Sequence, residues 1–140
     1  MTEALADDLP LATGLQRVYD RALALYFADA EAPLGCFLIG TAATEAARDA
    51  EVRKKLGSGL RELTRTFDAR LRLARKTGEI ASDSNPALLA ELAAAVLFAL
   101  ALRSRAGDSR ASLRAFSRQA VQMLCGGGPS KRARARRASR

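Results

Sequence analysis

From Leu11 onward, apolar and aromatic side chains fall at Leu11, Leu15, Val18, Tyr19, Ala22, Leu23, Tyr26 and Phe27, mostly three or four residues apart. That spacing predicts an α-helix from about Leu9 to Ala30 with one face packed. Ala32-Pro33-Leu34-Gly35 ends it, because proline restricts its predecessor and glycine invites a turn. A short second helix is expected from Cys36 to about Ala47. It is apolar nearly all round, through Phe37, Leu38 and Ile39, which predicts burial against several neighbours.

Asp49 suits the N-cap of a third helix, with Glu51 favourable near the positive end of the helix dipole. Val52, Leu56, Leu60, Leu63, Phe67, Leu71 and Ala74 then recur at helical steps, and Thr77-Gly78 closes the run with a residue that accepts a left-handed conformation. Arg53, Lys54, Arg61, Arg65, Arg72 and Arg75 lie mainly off that stripe and read as a solvated face. Gly57 and Gly59 weaken the helix and leave room for a close crossing.

Asn85-Pro86 is a matched N-cap and first-turn pair opening a fourth helix, in which only Glu91 is charged before Leu102. Its apolar residues form two faces: Leu88, Leu92, Ala95, Ala99 and Leu102 on one, and Leu89, Ala93, Val96 and Leu100 on another. A helix in a small bundle has one core to face, so two apolar faces imply a second packing partner. A fifth helix, capped by Asp108 or Ser109, runs from Arg110 to about Leu124 with Leu113, Phe116, Ala120, Val121 and Leu124 inward, and Gly126-Gly127-Gly128-Pro129 stops it. The chain is therefore predicted to be all-α, a bundle of about five helices over residues 1–125, followed by a disordered basic tail over 126–140.

Composition supports the helical reading. Apolar residues make up 49% of the chain, mostly Ala and Leu, with 5% aromatics and no Trp. The formal charge of +8 is not spread evenly. Six of the 23 basic residues (Lys131, Arg132, Arg134, Arg136, Arg137 and Arg140) lie in the last fifteen positions, whereas all 15 acids precede them. The body is thus nearly neutral, and only the tail predicts non-specific phosphate contact.

Cys36 and Cys125 are too few for a disulfide framework, and the acidic N-terminus lacks the apolar stretch of a signal peptide. The Pro86 to Leu102 run contains Glu91 and is shorter than the about 20 residues that span a bilayer. A cytoplasmic, non-membrane protein with reduced thiols is expected. Enzyme chemistry is not. The chain has no histidine, the commonest general base and metal ligand, and no phosphate-binding glycine motif, nucleophile elbow or zinc spacing. No catalytic residue, cofactor or metal is expected.

Three stretches in order complete the picture: Gly35-Cys36-Phe37-Leu38-Ile39-Gly40-Thr41-Ala42-Ala43, then Asp49-Ala50-Glu51-Val52-Arg53, then Ala74-Arg75-Lys76-Thr77-Gly78-Glu79-Ile80 leading to Asn85-Pro86 and the Ala/Leu-rich helix. Together they resemble the C-terminal regulatory domain of TetR-family transcriptional regulators over about Leu9 to Cys125. The resemblance implies a pocket for a small-molecule effector among the first four helices, with Tyr19, Tyr26, Phe37, Thr41, Thr44, Phe67 and Phe98 as lining candidates. For each aromatic, ordinary core packing is the competing reading, while buried threonine hydroxyls want a partner that a ligand could supply. It also implies a homodimer whose four-helix interface uses the last two helices, with Leu89, Ala93, Val96, Leu100, Leu113, Ser117 and Val121 as interface residues. No segment predicts a recognition helix, the element that reads the major groove. DNA contact is thus expected only through a headpiece not in this sequence, or non-specifically through the tail. A fragment of a longer repressor and a headless module that forms dimers or heterodimers without DNA or ligand are both consistent with the sequence.

Overall fold

A computed structural model describes residue 5 and residues 8–28 and 41–126. Phe37 with the rest of the first part of the predicted second helix (36–40), and the basic tail beyond Gly126, lie outside the described residues. Within them the order is α1 (Leu11–Tyr26), α2 (Ala43–Glu45), α3 (Ala50–Thr77), α4 (Pro86–Arg105) and α5 (Arg110–Gly126), with no strand. The all-α expectation and the boundaries of the last three helices hold.

The caps follow local chemistry. Asp49 adopts an extended backbone and its carboxylate accepts from the Glu51 and Val52 amides at 2.7 and 3.0 Å, satisfying first-turn donors of α3. Those two amides hold its carboxyl below the usual carboxylate range. Gly78 ends α3 at φ 80°, the left-handed region that penalises a Cβ. Asn85 caps α4 through the Ala87 and Leu88 amides, and Ser109 accepts the Ser112 amide at the start of α5, leaving Asp108 to pair with Arg103. A Cβ on Gly57 would meet the Arg61 guanidinium of the same helix at 3.2 Å, so the expected close helix crossing is not what that glycine serves.

α4 is the central element. It packs most extensively on α3 and also contacts α5 and α1, while α1 lies chiefly against α5. At 20 residues it is long and apolar enough to span a bilayer, longer than the sequence run suggested. One side of it, however, is built into the bundle. Ala90, Ala93, Ala94, Leu100, Ala101 and Ser104 are buried there. The core joins them to Leu11, Leu15, Tyr19 and Leu23 of α1, to Phe67, Leu71 and Ala74 of α3, and to Leu113 and Leu124 of α5. A polar seam stitches α1 to α5 beside it. Gln16 donates to Ser117 and Asp20 at 3.1 and 3.2 Å, and Arg114 pairs with Asp20 at 3.2 Å.

Candidate functional site

Opposite its buried face, α4 leaves several large apolar residues uncovered. Leu88, Leu92 and Leu102 are 56%, 47% and 54% exposed, and Met123 of α5 is 77% exposed. Leu88, Leu92, Ala95, Ala99 and Leu102 recur at steps of four, three, four and three, so they form one stripe along the helix. Between that stripe and α5 runs an open apolar groove of about 460 Å³, lined by Leu89, Leu92, Val96, Ala99, Phe116 and Met123 among others, with Gln119 as its polar member. At one end Arg103 lies over the Phe116 ring at 5.0 Å from its centroid while its Nε donates to Asp108 at 2.6 Å. The cation thereby fixes an aromatic wall of the groove.

This geometry redistributes the predicted interface. Leu89 and Val96 are half-buried and line the groove. Ala93, Leu100, Leu113 and Ser117 are fully buried, and Val121 is nearly so. Those five are corrected to core, because their side chains are buried within the bundle and are not presented on its surface. Leu92, Ala99, Phe116 and Met123 take their place on the open side. The signal was side-chain size: four alanines crowd the inner face of α4, and small residues mark the side where helices approach most closely.

The predicted pocket residues separate in a similar way. Tyr19 is fully buried and its hydroxyl donates to the Ala93 carbonyl at 3.0 Å, an ordinary satisfied core tyrosine. Burial raises its pKa above the ordinary phenol value and keeps the phenol neutral. Phe67 is likewise enclosed, Tyr26 is buried in the same core, and Phe98 packs against it half-buried. Thr41 and Thr44, expected as buried hydroxyls, are exposed, because only Ala42 and Ala46 of this segment face inward. Phe37 lies outside the described residues. The surface left partly open is instead the first half of α3, where Val52, Leu56, Leu60 and Leu63 are half-buried while Phe67, Leu71 and Ala74 on the same stripe are fully enclosed.

Other chemistry is sparse. Among the described residues no group of three or more His, Cys, Asp or Glu side chains is gathered to hold a metal ion. Cys125 is a free thiol, pushed up to about 11 by burial and by the Glu79 charge, so it is protonated at neutral pH.

The described residues form five helices, the last two packed together with an uncovered apolar face on both. Residues 13–120 match the sequence pattern of the tetracyclin repressor-like C-terminal domain, and the chain belongs to that family. No curated protein matches the sequence. Two solved structures resemble it, both cysteine-substituted forms of the TetR-family transcriptional regulator CifR complexed with a 26-base-pair operator duplex. Each superposes with a TM-score of 0.75, at 26% and 25% sequence identity. The alignments cover 86% of this chain but 62% of the CifR chain, so this sequence spans less than two thirds of those proteins.

Proposed function

We propose that this chain is the ligand-sensing, dimerising regulatory domain of a TetR-type transcriptional repressor, a cytoplasmic protein without enzymatic activity. The observation that carries the pairing is the uncovered stripe Leu88, Leu92, Ala95, Ala99 and Leu102 with Met123 beside it. Large apolar residues contiguous over two helices are costly in water and mark an association surface. A second copy supplies the same face, so an isologous contact covers both at once. In this reading DNA is bound through a separate headpiece, and the CifR structures that this chain resembles were solved with operator DNA.

The small-molecule effector lies against the half-buried stripe Val52, Leu56, Leu60 and Leu63 of α3, on the α1 and α4 side. An apolar surface of that kind with threonines nearby suits a largely apolar ligand. Two experiments test the two halves. Sedimentation velocity at micromolar concentration gives a dimer for the parent chain and a monomer for Leu92→Glu, whose charge cannot be buried unpaired; a monomeric parent rejects the pairing. The chain has no Trp, so Leu60→Trp introduces a single reporter. Its emission shifts on adding the apolar dye 1-anilinonaphthalene-8-sulfonate in a saturable manner, and an unresponsive reporter rejects that site.

A further inference from the structure

α1 begins without a cap of its own. Pro10 precedes it and offers no side-chain acceptor, leaving the first-turn amides to be satisfied from elsewhere. The Leu11 amide donates to Glu79 Oε2 at 2.5 Å, a carboxylate 68 residues away in the α3–α4 turn. Glu79 Oε1 accepts from Arg70 Nη2 at 2.8 Å, and the same nitrogen donates to the Leu9 carbonyl at 2.6 Å. Thr77 adds a hydroxyl to Glu79 Oε1 at 3.4 Å. Gly78, in the left-handed region, makes the reversal that brings Glu79 back over the last turns of α3, and buried Ile80 anchors the chain just after it. Leu5 is also in the core.

Arg70 is 3% exposed, and among the described residues its hydrogen bonds all run through Nη2, with Glu79 as its ion-pair partner. A buried ion pair that loses one member leaves an uncompensated charge, which drives the other out toward water. Arg70 and Glu79 thus join α3 to the start of α1 through shared partners, the Leu9 carbonyl and the Leu11 amide.

We propose that Arg70, Glu79 and Thr77 form a latch that fixes the entry of the chain into α1 to the C-terminal end of α3, and that displacements of α3 reach the segment before Leu11 through it. The second half rests on the regulatory reading above, since α3 carries the proposed effector surface. Arg70 and Glu79 are then positioning residues that touch no ligand.

The test uses this chain alone, without DNA or effector, so its outcome does not depend on whether the regulatory reading stands. Residue-resolved hydrogen exchange is compared for the parent, Glu79→Gln, which keeps the shape and removes the charge, and Arg70→Lys, which keeps the charge and loses the fork. Glu51→Gln, in an exposed pair on the same helix, is the control. The latch predicts that Leu11 to Gly14 exchange about tenfold faster in both latch variants while Ala93 to Ala101 stay within about twofold. Phe67→Leu, which shifts α3 one turn before Arg70, then speeds those first-turn amides in the parent but adds under about twofold in the Glu79→Gln background. Unchanged first-turn amides in Glu79→Gln, an equal acceleration everywhere, or an undiminished Phe67→Leu effect without Glu79 each overturn the proposal.

Discussion

The two faces of α4 are equally apolar in sequence and opposite in build. The inner face presents Ala90, Ala93, Ala94, Ala101 and Ser104 with Leu100 as its large member, all buried, while the outer face presents Leu88, Leu92 and Leu102, about half exposed. Small side chains let α3, α1 and α5 approach the backbone, which is how one helix can touch all three. Large side chains on the open face have no such neighbour within the protomer. The contrast separates residues that hold the fold from residues left open to solvent, which the proposed pairing would cover, and each can be disturbed without the other.

The largest effect is expected on the inner face. Leu100→Ala leaves a cavity in the core and costs about 2–5 kcal/mol of stability by urea denaturation, whereas Leu92→Ala on the outer face leaves the protomer nearly intact and only weakens pairing. Equal losses from the two would erase the distinction. Ala93→Leu tests the close approach from the other direction, since overpacking at a fully buried alanine costs about 1–3 kcal/mol. A neutral result would mean that the inner face is loosely packed. Tyr19→Phe removes the hydrogen bond to the Ala93 carbonyl and lowers stability by about 1 kcal/mol in the same assay.

The smallest effect is a pH dependence. Burial alone would raise the Glu79 carboxyl, but the Leu11 amide, the Arg70 guanidinium and the Thr77 hydroxyl outweigh it and hold it below the ordinary carboxylate value. A depressed folded-state pKa means that its contribution is fully present above the unfolded glutamate value of about 4.3 and is lost as pH falls through the lower folded value. Denaturation midpoints measured from pH 6 downward should therefore fall less steeply for Glu79→Gln than for the parent; parallel slopes would show that the latch carboxylate does not titrate this way.

Much of the fold was legible because its signals are local. The heptad-like run from Val52 to Ala74, the Asp49 and Asn85 caps and the Gly78 stop each act within one or two turns, and the structure places them where the sequence does. The two faces of α4 were legible as two faces, but not as inner and outer, because periodicity records that a side is apolar and says nothing of what covers it. Ala93 and Leu100 were assigned outward on that account, although their alanine neighbours mark the crowded side. Thr41 and Thr44 failed for a related reason: a segment rich in apolar residues still turns some positions to water. The Arg70–Glu79 contact leaves no trace in pattern, since Arg70 differs from the exposed basic residues of α3 only by being buried and its partners Leu9 and Glu79 lie 61 residues before it and nine after it.

The chain holds two methionines, Met1 and Met123, so methyl labelling of methionine gives an almost isolated probe on the open face of α5. In a sample mixed from methionine-labelled and leucine-labelled copies, a nuclear Overhauser contact between the two labels can arise only across an interface. The pairing account predicts intermolecular contacts from the Met123 methyl to leucine methyls of the stripe, Leu92 foremost. A paired protein in which Met123 shows no intermolecular contact, or in which such contacts come from α1 or α3 instead, would contradict it.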